Sequence, residues 1–268
     1  MSSRTSDLVR AAVEIARAAG VVAAQRFSAG TTAALKPDGT ELTPADVEVE
    51  RLIRALIAER FPDDRTYGEE EGAVGGEAGR RWVIDPINGT TLFVRRIPTF
   101  NLLLAVEVDD RPLVSVIHYP VTAATCFAGV GEGAWQQNGD GRPERLTVSD
   151  RDRARGARVG LLNPSSWSES LLVALHREVA LMPWVPLGTG VAAGMADAAV
   201  IAGHPMGYQD LAPMPVLMAE AGGRVTDLAG GDVLAGAGDV LISNGHIHGQ
   251  LLDLVAGLPI GPRPRPGD

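Results

Sequence analysis

The stretch from Trp82 to Val130 most restricts the fold. It holds four apolar runs, WVID (82–85), FNLLLAVEV (100–108), PLVSVIHYP (112–120) and ATCFAGV (124–130), punctuated by the turn signals DD, YP and GEG. Runs of this length, broken by such dipeptides, read as strands in an antiparallel meander. Two helices are expected before it. From Ser6 the apolar positions Leu8, Val9, Ala12, Val13, Ala16, Val22, Ala23 and Phe27 recur at helical spacing, and Gly30 is a natural stop. The segment KPDGTELTPADVEVERLIRALIAERFP (36–62) then leads into a second helix, with Thr43 as N-cap, Pro44 at the first helical position and Pro62 closing it. Its stripe of Leu52, Ile53, Leu56 and Ile57 is the expected buried face. The Gly/Glu-rich GEEEGAVGGEAG (68–79) reads as a loop.

From about Ser149 the texture changes. The runs ARVGLLN, ADAAVIAG, RVTDL and DVLISN alternate with helical patterns near 167–181, 211–221 and 247–256. Two subdomains are therefore expected, an α+β half over 1–150 and an α/β half over 151–268, forming one compact unit with a Pro/Gly-rich tail frayed from about 258.

With 268 residues, 45% of them hydrophobic, the chain can bury a sizeable core, which excludes a disordered protein. A net charge of −9 argues against coating nucleic acid or an anionic membrane, so a small-molecule partner is expected. Cys126 is the only cysteine, which excludes an intrachain disulfide and a multi-cysteine metal site. The first twenty residues lack the unbroken apolar core of a secretory signal, and no apolar run reaches the roughly 20 residues of a membrane helix. A cytoplasmic setting is the expectation.

Oxygen ligands stand at the ends of apolar elements. Glu69 and Glu70 follow Gly68, Asp85 ends the WVID strand, Asp46 lies in the first turn of the second helix, and Asp210 precedes the apolar LAPMPVLMAEAGG. Hard cations such as Mg²⁺ take such carboxylates together with carbonyls, water and phosphate oxygens. Each has a plainer reading too: a capping box for Asp46, solvated loop charges for Glu69 and Glu70, a helix-dipole partner for Asp210. The turn after Asp85 is more specific, because Pro86 and Gly89 force it tight and Gly89-Thr90-Thr91 offers consecutive backbone N–H groups to an anion.

Taken together, KPDGTELTPAD (36–46), FPDDRTYGEEEG (61–72), WVIDPINGTTLFVRRIPTF (82–100), GEGAWQQNG (131–139) and YQDLAPMPVLMAEAGGRVTDLAGG (208–231) resemble, in order, the motifs of the inositol monophosphatase family of Mg²⁺-dependent, lithium-sensitive phosphatases. The resemblance implies a layered α-β-α-β-α fold, a homodimer, and hydrolysis of a small phosphate monoester by a metal-activated water. It assigns metal contacts to Glu69, Asp85, the carbonyl of Ile87, Asn88 and Asp210, orientation of the water to Thr90 and Asp46, and phosphate contacts to the N–H groups of Gly89, Thr90 and Thr91. Cyclitol, histidinol, sugar and nucleotide phosphates are all substrates within the resemblance.

Asn88 departs from the pattern, which has aspartate there. The amide keeps a carbonyl oxygen and loses the charge. Three readings stay open: a silencing Asp→Asn change, a phosphatase working with a reduced metal set, or a scaffold redirected to a non-hydrolytic or binding role. Other departures from the family pattern bear on substrate: Leu92 stands where a polar residue is usual, Gln209 and Pro213 replace Trp and Ala, and Ile201 falls near the place of a hydroxyl-binding acidic residue. His118, His204, His246 and His248 show no ligand pairing, Arg95 and Arg96 form either a basic lip or plain surface, and Trp82 and Trp135 read as packing residues.

Overall fold

The computed structural model describes residues 2–36, 39–75, 79–183, 186–203, 206–236 and 238–261. It divides into two compact units, Met1–Arg145 and Leu146–Asp268.

The first unit opens with α1 (Ser2–Ala29), a two-residue hairpin β1 (Ala34–Leu35) and β2 (Glu41–Leu42), and α2 (Pro44–Arg60). Helix α1 ends where Gly30 adopts φ 83°, a left-handed conformation open to glycine at no steric cost. Helix α2 begins as its sequence signals: the Thr43 side chain accepts from Ala45 N–H at 3.1 Å, and Asp46 answers by accepting from the Thr43 N–H at 2.9 Å. Strands β3 (Arg65–Gly68), β4 (Gly72–Val74), β5 (Arg80–Asn88), β6 (Asn101–Val108), β7 (Arg111–Tyr119), β8 (Ala124–Gly129), β9 (Gly133–Asn138) and β10 (Glu144–Arg145) follow, with the short helix α3 (Thr90–Val94) between β5 and β6. They form one sheet in the order β10-β9-β8-β7-β6-β5-β3-β4. The meander is present over β5 to β9. GEEEGAVGGEAG, expected as a loop, contributes β4, and β3 joins the sheet parallel to β5.

The apolar stripe of α1 and the Val49, Ile53 and Ile57 face of α2 share a core with Trp82, Ile84, Leu102, Leu104, Val106, Val114 and Val116. Trp82 is fully buried, and its Nε1–H donates to Asp64 at 2.7 Å, as a buried indole requires. Phe27, Phe93 and Phe100 meet with ring centroids 4.8–5.7 Å apart, tying the end of α1, α3 and the start of β6 around the turn that follows β5. Arg96 reinforces this corner by donating to the carbonyls of Phe27 and Ser28 at the end of α1, and Arg95 pairs with Glu41 at 3.4 Å.

The second unit contains β11 (Arg158–Leu162), α4 (Glu169–Glu178), β12 (Ala180–Met182), α5 (Leu187–Ala192), β13 (Ala198–Ile201), α6 (Tyr208–Leu211), α7 (Met214–Ala221), β14 (Arg224–Thr226), β15 (Val240–Ser243) and α8 (His248–Val255). Its sheet runs β12-β11-β13-β15-β14, parallel over the first three strands and antiparallel through β15. The helix expected over 211–221 is two pieces, α6 and α7, because Pro213 and Pro215 remove N–H donors in the middle of the pattern. α5 was not expected, since its LGTGVA lacks both apolar periodicity and good helix formers. Pro259 and Ile260, expected to begin a frayed tail, are held by Ser168, whose hydroxyl donates to the Pro259 carbonyl and whose N–H donates to the Ile260 carbonyl. Residues 262–268 lie outside the described residues.

Candidate active site

The end of β5 explains why the motif spaces Asp85 and Asn88 three apart. In a regular strand, residues three apart point to opposite faces. Here the register with β6 shifts by one: Asp85 pairs with Leu103, and Asn88 pairs with Asn101. Residues opposite each other share a face, and Leu103 and Asn101 are two apart on β6, so the bulge at Pro86 and Ile87 puts Asp85 and Asn88 on the same side. Pro86, which has no N–H to give the ladder, is suited to a bulge. Asp85 is fully buried, Asn88 half-buried.

Glu69 reaches this strand end from β3. Gly68 pairs with Ile84 across the parallel ladder, and the Glu69 N–H continues it by donating to the Ile84 carbonyl at 3.1 Å. The carboxylates of Glu69 and Glu70 share one cation, the Lys36 ammonium, at 2.9 Å and 2.8 Å. Lys36 follows β1, and its position rests on local bonds: its N–H donates to the Thr40 carbonyl at 2.7 Å and its carbonyl accepts from Gly39 N–H at 2.9 Å.

On the other side of the turn, the Thr90 hydroxyl lies 3.2 Å from Asp46 Oδ1 and 3.1 Å from the Ile87 carbonyl. Asp46 divides its oxygens between two tasks. Oδ2 serves the helix cap through the Thr43 N–H and hydroxyl, and Oδ1 faces Thr90. The capping and site readings of this residue therefore hold together. Gly89 adopts φ 84° and starts α3, whose first bonds run from the Leu92 and Phe93 N–H groups to the Gly89 carbonyl. The N–H groups of Gly89, Thr90 and Thr91 precede that ladder, where a helix has no internal acceptors to offer.

Electrostatics tie these groups into one cluster. Burial pushes the Asp46 carboxyl up, against the hydrogen bonds from Thr43 and Thr90, and the Glu69 charge pushes it further. Burial likewise raises Glu70, to about 7, with the charges of Glu69 and Asp46 adding and Lys36 opposing. Burial works against the Lys36 charge, but its contacts with Glu70 and Glu69 outweigh that and hold the ammonium above its ordinary range. Burial and neighbouring charge thus push Asp46 and Glu70 towards the neutral form, while the Lys36 ammonium is held between Glu69 and Glu70. Among the described residues, no three His, Cys, Asp or Glu side chains converge as a ready-made metal cage.

The sequence profile of the inositol monophosphatase family matches residues 5–258. The chain belongs to that family. It is 34% identical over 227 residues to a histidinol-phosphatase of Mycobacterium tuberculosis, an alignment covering 81% of this chain and 85% of the relative. A histidinol-phosphatase of Streptomyces coelicolor is 31% identical over 258 residues, covering 92% and 96%. The extragenic suppressor protein suhB of Bartonella henselae superposes with a TM-score of 0.82 at 24% identity, over 94% of this chain and all of that one, and so shares its fold. The layered α/β fold expected from the motifs is the fold the chain shares with that protein, and the family is one of phosphoric monoester hydrolases.

The remaining candidates are set by their own surroundings. Asp210 belongs to the second unit, in α6, where Oδ2 accepts from Gly207 N–H at 2.7 Å. Ile201 is buried at the end of β13. His118 and His248 are buried and bonded to hydroxyls, and His204 lies outside the described residues. Two groups escaped the sequence reading. Lys36 lies in KPDGTELTPAD with no local sign of its place between Glu69 and Glu70, and Glu50 lies on α2 with no local sign of its hold on the following loop. An i, i+4 spacing from Asp46 was the one available signal for Glu50.

Proposed function

We propose that this chain hydrolyses a small phosphate monoester, with Mg²⁺ as cofactor and water as nucleophile. The observation that carries the reading is the Thr90 hydroxyl between Asp46 Oδ1 and the Ile87 carbonyl, beside the Glu69 and Glu70 carboxylates. The donors in this region are all oxygen, as a hard cation requires, and Mg²⁺ takes only one or two carboxylates where water and phosphate complete its shell. Glu69, Asp85 and the Ile87 carbonyl would hold the ion, with the Asn88 amide oxygen as a neutral contributor. The part of Asp210 rests on the family resemblance. Bound there, the ion would lower the pKa of a coordinated water and neutralise charge on the phosphoryl oxygens.

The chain's own groups do the rest. Thr90 gives its single hydroxyl proton to Asp46 or to the Ile87 carbonyl, which leaves its oxygen lone pairs to accept from a water and fix that water's direction. The N–H groups of Gly89, Thr90 and Thr91 would hold phosphate oxygens, on a turn braced by the aromatic trio. The names of the two bacterial relatives put histidinol phosphate first among substrates, followed by cyclitol, sugar and nucleotide phosphates. A homodimer in the cytoplasm belongs to the same reading, and light scattering and fractionation check it.

Asn88 supports a second reading, a homologue that binds a phosphate ligand or runs a non-hydrolytic reaction, because the site carries one charge fewer than the family's. Phosphate release with and without Mg²⁺, from that panel, separates the two when the protein is run beside Asn88→Asp. Mg²⁺-dependent release by the protein itself supports hydrolysis. Release by neither form sinks it, and calorimetric binding of the same esters without turnover then supports the second reading.

A further inference from the structure

We propose that Glu50 is a positioning residue: a buried carboxylate on α2 that fixes the loop carrying Glu69 and thereby sets the protein's affinity for its cation. The proposal deepens the phosphatase reading and rests on it.

Glu50 is fully buried, and its carboxylate is spent on the loop backbone. Oε2 accepts from the Glu70 N–H at 2.8 Å, and Oε1 accepts from the Glu71 N–H at 3.0 Å. Arg54, one turn along α2, donates to Oε1 through Nε at 3.0 Å and Nη2 at 2.8 Å. The same guanidinium donates to the Gly72 carbonyl at 2.6 Å and to the Thr66 hydroxyl, so β3, the loop and β4 are all staked to α2. Gly68 lets the chain pass this close, because a Cβ there would collide with the Glu50 carboxylate.

The arrangement is poorly explained by stability. A buried ion pair returns little over a well-packed apolar pair, since desolvation of two charges consumes most of their attraction. It does deliver direction. Asp46 and Glu50 are four apart on α2 and both buried, so they lie on one helix face. One of them reaches Thr90 and the other holds the backbone of Glu70 and Glu71. A rigid helix thus fixes the distance between the two halves of the cluster, and Glu69 stands where Glu50 places its loop.

Glutamine in place of Glu50 keeps the shape and fails in the bonding. Its one carbonyl oxygen cannot serve both amides and Arg54, and its NH₂ group meets a donor wherever it turns. Calorimetric titration of Mg²⁺ alone into wild-type protein and Glu50→Gln, at a temperature where circular dichroism shows both folded, tests the proposal. The expected result is an affinity about 10- to 100-fold lower in the variant, the loss typical when a group orienting a ligand is removed. If Glu50→Gln does not fold, the paired Glu50→Met, Arg54→Met variant takes its place: it leaves no buried charge, and it must show the same loss. Wild-type binding with a folded variant within about twofold overturns the proposal and leaves the phosphatase reading intact. Wild-type protein that takes up no Mg²⁺ overturns both.

Discussion

Acidification should weaken this protein through two buried histidines, one in each unit, and the effect can be sized. His248 sits in a chain of hydroxyls. Thr226 gives its proton to the Asp227 carbonyl at 2.7 Å, so its oxygen accepts from His248 Nε2–H at 2.9 Å. Nδ1 is then bare and accepts from the Ser243 hydroxyl at 2.8 Å, while Ser243 accepts from Gly245 N–H at 3.1 Å. The network assigns a neutral ring with no place for a second proton. Burial, and the charge of Arg224, push its pKa down to about 4. His118 on β7 is bonded to Thr125 at 3.0 Å and pressed by Gly20 of α1; burial and the charge of Arg17 bring it also to about 4.

In both, the folded pKa lies below the unfolded value near 6.5. The unfolded chain therefore takes the proton first, so stability is full above pH 6.5 and is lost as pH falls towards 4. A shift of this size amounts to about 3 kcal/mol per histidine in full, of which about 2 kcal/mol is gone by pH 5. Glu70, raised to about 7, pulls the opposite way over part of that window, so the test is a difference. Urea unfolding at pH 7.5, 6 and 5, followed by circular dichroism, is compared between wild type, His118→Gln and His248→Gln. Each variant should lose less stability than wild type on going to pH 5, by about 2 kcal/mol in the unit it alters. Parallel pH profiles would refute the argument, for they would mean that the rings accept protons in the folded state as readily as in the unfolded one.

Three further outcomes follow from the site. Thr90→Ala should cut kcat for phosphate release by about 100-fold or more while Mg²⁺ affinity and Tm stay near wild type, and Thr90→Ser should restore most of the rate. Lys36→Met removes the ammonium that restrains Glu70, so the Glu70 carboxyl should titrate above its wild-type value of about 7, read from its side-chain NMR shift against pH. Thr43→Ala deletes the cap of α2 and should cost about 1 kcal/mol, seen as a Tm lowered by about 2–4 °C.

Much of the architecture could be read locally. The helical stripe of α1, the Thr43–Pro44 start of α2 and the apolar runs of β5 to β8 are signals confined to a few neighbouring residues. So is the Pro86–Gly89 turn, whose backbone demands show in residue type. The errors fall where local signal is weak or conflicting: β4 hidden among glycines, α5 built from LGTGVA, and the helix over 211–221 divided at its prolines. Asp46 shows the limit most clearly, since its spacing from Thr43 announces a cap and nothing nearby announces Thr90, 44 positions away.

The sequence by itself determined the residue types of the site and the family to which they belong, because ordered motifs and cap chemistry are written in consecutive letters. Only the tertiary structure decided which oxygens meet. A one-residue bulge turned Asp85 and Asn88 to one face, Lys36 came to rest between Glu69 and Glu70, and Glu50 took hold of a loop 20 residues further along the chain. Those contacts depend on register, burial and the removal of competing water, and none of these is a property of any short stretch of chain.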